Sequence, residues 1–356
     1  MDLSLDESQE ILFRTFADLL ERECPTTHVR ECEEEGGFSP KLWDRYVELG
    51  AAAMGLGEEA GGLGMGPLEL GLVATASGRA LAPVPFNEVA AAGRLLDRID
   101  SSDPLLAEIA EGTTRLSLAL RRPHAVKGTD SAASLVSYGS VVDHVVALDG
   151  EEVVLVSGAG ERASARVVDV ARGALASWDL SDRGDESRRV LARGEAAVRA
   201  FDHAVAEWKL LAGFWLIGLA QRALEIGAEY ARERIQFGVP IGGFQAIAHP
   251  LADCATRVDG GELLVWEAAW AEAEEPQRFE ALASMAFTWA AQTAQRTTGV
   301  SLHTHGGYGF STEYDIQLFY RRACAAASIA GGAREELITV AELCFGEGAT
   351  ASGASA

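Results

Sequence analysis

Histidine and cysteine side chains often bind metals, and the spacing of the closest histidine pair and of the five cysteines argues against a metal site. His303 and His305 lie two residues apart in the stretch HTHGGYG. Residues two apart on a helix point to different sides, so the two imidazoles are not expected to share an ion. The five cysteines are Cys24, Cys32, Cys254, Cys324 and Cys344. They are scattered and contain no CxxC pair, so we expect no metal and reduced thiols in a cytoplasmic protein.

Other common catalytic motifs are missing from the sequence. GGLGMG does not fit the dinucleotide pattern GxGxxG, and there is no GxSxG nucleophile elbow. The net charge is −23, from 53 acidic and 30 basic residues. A field of that sign repels nucleic acid and anionic membranes, and no run of about 18 apolar residues stands out to span a bilayer. We expect neither partner, whereas a phosphate-bearing cofactor held by a few local arginines is compatible with this charge.

The elements that would position a site begin with a helical zone at residues 1–108. The stretch LDESQEILFRTFADLLERE places its apolar residues near one helix face, with Asp6 as N-cap and Gln9 three residues later. Ser39 before Pro40 is a typical start for a further helix.

The zone at 109–198 changes to short β-branched runs such as SVVDHVVALDG and EEVVLVSG, and Asp149-Gly150 is a typical hairpin turn. At 199–345 long helices return, including a proline-free stretch that is apolar on nearly every side in its middle. The residues at 346–356 are small and polar, which predicts a disordered tail. The sequence therefore predicts an α+β, mainly α fold with a middle β domain and a C-terminal four-helix bundle.

Several of these stretches resemble the acyl-CoA dehydrogenase family of flavoproteins. RERIQFGVPIGGFQAIAHPLAD and HTHGGYGFSTEYDIQLFYRR resemble its C-terminal domain, and LWDRYVELGAAAMGLGEEAGGLGMGPLELGLVATASGRAL resembles its N-terminal domain. The resemblance covers most of residues 1–108 and 200–345, and the central zone matches in being β-rich. It implies a helical domain, a small β-barrel and a helical bundle. It also implies FAD-dependent α,β-dehydrogenation of an acyl-CoA thioester, with electrons passing to an acceptor such as an electron-transfer flavoprotein.

The resemblance also implies which residues bind FAD across a subunit interface. These positions are Arg234, Phe237, Gln245, His303, Gly306 and Gly307. Arg234 would face the pyrophosphate, because a guanidinium fork suits phosphate oxygens. The ring of Phe237 would pack on the cofactor, the Gln245 amide would hydrogen-bond to it, and the glycine pair would let backbone approach its adenosine part. His303 departs from the family, which usually has glutamine there.

The base that such an enzyme needs is missing from its usual place. The proton on the α-carbon must go to a carboxylate held within reach. The family usually places this glutamate where the present sequence has Gly331. Some members carry it instead on the first long C-terminal helix, where the matching residue is Trp208, with Glu207 beside it as the candidate catalytic residue. The threonine and glutamine that usually follow are Ala333 and Glu335 here.

Three interpretations remain open from the sequence. The chain is a dehydrogenase with a displaced base, or the subunit of an oligomeric dehydrogenase that lacks the usual glutamate, or a flavin-free helical interaction protein. The shortened middle zone and the Ala- and Arg-rich composition resemble actinobacterial members of the heteromeric type and favour the second. The apolar helix in the last zone predicts a homo-oligomer, or a hetero-oligomer with a glutamate-bearing homologue.

Overall fold

A computed structural model describes residues 4–126, 129–158, 161–184 and 186–346. The tail predicted at 346–356 lies outside these residues except for Gly346. The helices are α1 Glu7–Glu23, α2 Thr26–Glu34, α3 Pro40–Glu48, α4 Pro67–Ala80, α5 Phe86–Ile99, α6 Leu105–Ala110, α7 Glu195–Glu233, α8 Gln245–Glu274, α9 Pro276–Thr304, α10 Ile316–Ile329 and α11 Ala333–Phe345. The strands are β1 Leu116–Leu118, β2 His124–Val126, β3 Thr129–Val136, β4 His144–Asp149, β5 Glu152–Ser157, β6 Ala176–Asp179, β7 Arg188–Arg193, β8 Ile235–Gln236 and β9 Val239–Pro240. The predicted mainly helical α+β fold is confirmed.

The helix starts follow the sequence signals. Asp6 caps α1, with its carboxylate accepting from Gln9 N at 2.8 Å while the Gln9 side chain accepts from Asp6 N at 3.1 Å. Ser39 caps α3, and Pro40 is the first helical residue, where its missing N–H costs nothing.

The β-rich zone contains two small sheets. One has the strand order β1-β4-β5-β7, in which β1 is parallel to β4 and the other pairs are antiparallel. The other has the order β2-β3-β6 and is antiparallel. β4 and β5 form the predicted hairpin, with the turn at Gly150 in the left-handed region at φ 63°. The inward faces meet in a core of small and β-branched residues around Trp178.

The described chain groups into two compact units. The first comprises the described parts of Met1–Thr26, Gly71–Ala82 and Lys209–Ala356, and contains α8 to α11. The second comprises Thr27–Leu70 and Pro83–Trp208, and contains β1 to β7. The division into three domains at residues 108 and 198 stays a prediction.

Helix α7 is the longest element, and its residues from Lys209 onward belong to the first unit. It is long and apolar enough by composition to cross a membrane, but 67% of its most apolar window is buried inside the protein, as in a bundle core. Glycines allow α4 to approach it closely. A Cβ on Gly78 would lie 1.9 Å from Trp215 O, and one on Gly218 would lie 2.2 Å from Thr75 O.

Candidate functional site

The segment after α7 is a tight hairpin that carries two of the predicted site residues. Arg234 N donates to Tyr230 O at 2.9 Å, and Ile241 N returns to donate to Arg234 O at 2.8 Å. Between them β8 pairs with β9. Phe237 and Gly238 form the turn, with φ of 53° and 80°, as two-residue hairpin turns require. The backbone therefore fixes Arg234 at the base of the hairpin and Phe237 at its tip.

The Phe237 side chain is 94% exposed. Its one described ring neighbour is Phe244, at 6.0 Å between centroids and 90° between planes. The left-handed backbone of a phenylalanine costs about 1 kcal/mol, and the bare ring adds the cost of apolar surface in water. A molecule that covers the tip of the hairpin would remove the second cost, so the exposed ring is a candidate contact surface.

Stacked rings join the end of α7 to the HTHGGYG segment. The rings of Tyr230 and His305 stack at 4.1 Å, and Tyr314 packs edge-on against both. Tyr308 lies 5.7 Å from Tyr314, and the Arg234 guanidinium lies 6.0 Å from the Tyr308 ring. This cluster brings the predicted arginine and the predicted glycine motif to one surface of the first unit. The tyrosines were missed by sequence reasoning, although Tyr308 lies within the motif itself.

His305 holds the glycine segment to the end of α9. Its Nδ1 donates to Ser301 O at 2.7 Å, and burial lowers the pKa of the imidazole. The stacked and hydrogen-bonded ring therefore joins the glycine segment to α9.

The glycine pair is open to solvent. A Cβ on either Gly306 or Gly307 would meet no atom within 4 Å, and Gly306 has a φ of 62°. The adjacent Tyr308 is itself half exposed. A ligand could therefore contact this backbone directly, as the predicted role requires.

His303 lines a cavity in the first unit, and Gln245 is next in the chain to residues that line it. Gln245 is the first residue of α8, and the next residues Ala246 and Ile247 line this cavity of about 470 Å3. His303 and Tyr320 line the same cavity. The predicted cofactor residues of the first unit thus fall into two groups, one at the hairpin with its glycine segment and one at or beside this cavity.

The usual base position has a backbone that glycine alone adopts readily. Gly331 and Gly332, between α10 and α11, have φ of 134° and 105°. A Cβ on Gly331 would lie 2.3 Å from Oε2 of Glu335. A glutamate at this position would therefore require both a strained backbone and displacement of the Glu335 carboxylate.

A buried ion pair holds α11 beside this glycine pair. Lys209 Nζ lies 2.8 Å from Glu336 Oε2, and both side chains are more than nine-tenths buried. Lys209 also donates to Ser284 Oγ at 3.3 Å. The charge pair ties α7, α9 and α11 together in the first unit.

Glu207 lies in the second unit, and its carboxylate is already paired. Oε1 accepts from Arg94 Nε at 2.7 Å and from Arg98 Nη2 at 2.8 Å, and the side chain is 4% exposed. His203 Nε2 lies 3.8 Å from the same oxygen. Oε2 is buried and has no hydrogen-bond partner among the residues that the structure describes. Two guanidiniums therefore share one oxygen of this carboxylate.

Trp208 is also held in the second unit, by a different carboxyl group. Its Nε1 donates to Glu88 Oε1 at 3.2 Å, and Ser137 Oγ donates to the same oxygen at 2.8 Å. Burial raises the pKa of Glu88, although these two hydrogen bonds oppose the change. The alternative base position therefore holds an indole that is fixed inside the protein.

Comparison with known proteins decides the family. Residues 6–97 match the family described as acyl-CoA dehydrogenase, N-terminal domain, and residues 199–342 match acyl-CoA dehydrogenase, C-terminal domain. The acyl-CoA dehydrogenase FadE27 of Mycobacterium tuberculosis is 30% identical, with 95% of this chain and 97% of FadE27 covered. The chain belongs to the acyl-CoA dehydrogenase family. Members of this family are oxidoreductases that act on CH–CH bonds, and they typically bind FAD.

Two further proteins resemble this chain over nearly its whole length. The acyl-CoA dehydrogenase IpdE2 of Mycolicibacterium smegmatis is 29% identical, with 94% of this chain and 97% of IpdE2 covered. A chain of the ChsE4-ChsE5 complex of Mycobacterium tuberculosis superimposes with a TM-score of 0.84 at 27% identity, covering 97% of this chain and 99% of that chain. The fold predicted from the sequence is that of these proteins.

Proposed function

We propose that this chain is the subunit lacking the usual catalytic glutamate in an oligomeric, FAD-dependent acyl-CoA dehydrogenase. The observation that carries the proposal is Gly331, where a left-handed backbone stands in place of a proton-accepting carboxylate. The transfer of a proton from the α-carbon requires such a group within about 3 Å. A second polypeptide that supplies the glutamate meets this requirement.

The residues of the first unit fit a flavin nucleotide. Arg234, placed over Tyr308, offers a guanidinium fork to phosphate oxygens, and the open glycine pair offers backbone N–H groups. Phe237, exposed at the hairpin tip, offers a ring for stacking. The flavin, when bound, supplies the acceptor for the hydride that leaves the β-carbon. This chain's part is to hold the nucleotide and to exclude water around it.

Glu207 as the base stays a prediction with a specific difficulty. Its Oε1 is held by Arg94 and Arg98, and a movement of the carboxylate toward a substrate would break that pairing. Removing one partner from a buried ion pair is costly. The base-lacking interpretation needs no such rearrangement, and we favour it for that reason.

The partner that we propose is a glutamate-bearing homologue in the cytoplasm. The relative solved as the ChsE4-ChsE5 complex motivates this choice. The exposed ring of Phe237 provides apolar surface for a second chain to cover. An electron-transfer flavoprotein or a similar acceptor would take the electrons onward.

The proposal is tested by co-expression with a glutamate-bearing homologue from the same organism. We expect a stable mixed oligomer that is yellow and oxidises an acyl-CoA with an artificial electron acceptor, whereas this chain alone is inactive. Activity of the chain alone, abolished by Glu207→Gln, would instead establish the displaced base. A colourless, inactive mixed oligomer would point to the flavin-free scaffold.

A further inference from the structure

We propose that a second cavity of the first unit binds a small organic amine in its protonated form, with an apolar body attached to the ammonium group. This cavity has a volume of about 770 Å3 and is bordered by α1, α4, α7 and the segment between the glycine pair and α10. Cavities of this size hold small-molecule ligands in proteins. The inference is independent of the proposed function, because its lining consists of residues other than the six positions assigned to flavin.

Part of the lining is apolar and would hold the body of the ligand. Leu20 of α1, Ile226 of α7 and Phe319 of α10 contribute aliphatic and aromatic surface. The rings of His305 and Tyr314 also line the cavity, with their centroids 5.7 Å apart. Covering such surface with an apolar ligand is favourable in water.

Carboxylates outnumber guanidiniums in the rest of the lining. The carboxylates are those of Glu21, Glu229, Glu313 and Asp315, and the guanidiniums are those of Arg79 and Arg222. Among the residues that the structure describes, neither Glu21 nor Glu313 has an ion-pair partner. A surplus of carboxylates gives the cavity a negative potential, which attracts a cation and repels an anion.

The two arginines do not reverse this potential, because carboxylates of α7 already bind them. Arg79 Nη2 donates to both oxygens of Glu225, at 2.8 and 3.0 Å. Arg222 Nη1 donates to Glu225 Oε2 at 3.0 Å and to Glu229 Oε1 at 3.4 Å. Burial opposes the ionisation of Glu225, but the hydrogen bonds from both arginines lower its pKa, so its negative charge is kept.

His305 adds a buried hydrogen-bond acceptor to the same cavity. Its side chain lines the cavity and the residue is 5% exposed. Because Nδ1 donates to Ser301 O at 2.7 Å and burial lowers the pKa of the imidazole, the ring is neutral and Nε2 carries a lone pair. No residue in the described part of the chain donates a hydrogen bond to Nε2. An acceptor left without a donor is costly inside a protein, and an ammonium N–H would supply that donor.

A protonated amine fits both polar features at once. Its N–H groups can donate to the Nε2 lone pair and to carboxylate oxygens, and its charge matches the surplus of carboxylates. An anion of the same size would meet repulsion and would bring no donor to Nε2. A cleft that only holds water would have the same shape, but it would not distinguish an amine from an anion.

Isothermal titration calorimetry on the full-length chain, with any partner that copurifies, tests the inference. The probes are phenethylammonium chloride and sodium hydrocinnamate, an anion of similar size. We expect saturable binding of the amine, and binding of the anion that is at least tenfold weaker. Glu21→Gln and Glu313→Gln should each weaken the amine severalfold, and the double variant at least tenfold. His305→Phe keeps an aromatic ring beside Tyr230 but removes Nε2, so it should also weaken the amine severalfold.

The matched control is Glu10→Gln. Glu10 is an exposed carboxylate in the first turn of α1, and it lies outside the cavity lining. The substitution changes the net charge by the same amount as Glu21→Gln and should leave amine binding unchanged. Four outcomes would overturn the inference: no saturable binding of the amine to the wild type, equal binding of the anion, undiminished binding in the double variant or in a folded His305→Phe variant, or an equal loss in the control. All of them are read without flavin, so they are separate from the test of the proposed function.

Discussion

Two regions differ in whether they keep the residue types that a dehydrogenase of this family uses. One is the surface around Arg234 that we propose faces the flavin, and the other is the pair of base positions at Gly331 and Trp208. Around Arg234 the chain presents a complete arrangement: a charged fork, an exposed ring on a strained turn and an open glycine pair. At Gly331 there is no side chain to accept a proton. At Trp208 the side chain is an indole that is buried inside the protein. The exposed surface keeps the residue types that our proposal needs, whereas neither base position offers an accessible carboxylate.

This contrast explains why the fold alone does not define the activity. A binding surface needs only shape, charge and exposed rings, and these can serve a site that two chains share. Proton abstraction needs one group at one place. Under our proposal the chain contributes to the reaction through its binding surface, and a partner supplies the group that performs the first step.

The largest effect on stability is expected at the buried ion pair between Lys209 and Glu336, which holds α11. Lys209→Ala leaves the Glu336 carboxylate buried without its cation, which should lower the free energy of unfolding by about 3–5 kcal/mol. Chemical denaturation measures the change. Arg278→Ala, which removes exposed ion pairs with Glu267 and Glu275, is the control and should change the free energy of unfolding much less. Equal losses in the two variants would show that the buried pair does not hold α11.

The next effect tests the flavin-facing surface. Arg234→Ala removes the guanidinium proposed to meet the pyrophosphate, so flavin retention by the mixed oligomer should weaken by about 2 kcal/mol, roughly thirtyfold in Kd. Flavin absorbance after dialysis measures it. The control is Arg199→Ala, because Arg199 is an exposed arginine paired with Glu195 on α7. Undiminished flavin in the Arg234 variant would remove the contrast between the two regions.

Phe237 should give two effects of opposite sign. Asparagine tolerates a left-handed backbone, so Phe237→Asn should stabilise the isolated chain by about 1 kcal/mol. The same change should weaken the mixed oligomer, because the exposed ring is lost. Thermal unfolding and analytical ultracentrifugation measure the two. Phe244→Asn is the control, since Phe244 has a φ of −86° and no such strain to relieve. A stabilised chain that assembles as tightly as the wild type would show that the ring is not an interface anchor.

The smallest effect is a change in how the free energy of unfolding depends on pH through Glu88, which accepts hydrogen bonds from Ser137 and Trp208. The pKa of Glu88 is raised above its ordinary value of 4.5, mainly by burial. Between 4.5 and the raised value the folded chain binds more protons than the unfolded chain, so stability falls as pH rises through that window. Glu88→Gln keeps an acceptor oxygen and cannot ionise, so it should remove this fall. Parallel stability curves for the two proteins would show that Glu88 titrates alike in both states.

Much of the fold could be predicted because local signals and burial agree. The caps at Asp6 and Ser39, the turn at Gly150 and the apolar middle of α7 each specify an element from a few residues. The hydrogen bond between Trp208 and Glu88 could not be predicted in this way. Glu88 and Trp208 are 120 residues apart, and their hydrogen bond follows from packing that no local pattern records.

The candidate site was predictable in part for the same reason. Arg234 and Phe237 stand in one continuous motif whose turn chemistry is readable from Phe237-Gly238. The pairing of Glu207 with Arg94 and Arg98 depends on helices far apart in the chain. Sequence reasoning could name Glu207 as a candidate carboxylate but could not show that two arginines already bind its Oε1.

Turnover of the mixed oligomer after replacement of the partner's glutamate by glutamine tests the central claim most directly. Every carboxylate of the present chain stays in place in that experiment. We predict that acyl-CoA oxidation is abolished while flavin content and assembly are unchanged. Full turnover in the same preparation would contradict the account, because the proton would then have gone to a group on this chain.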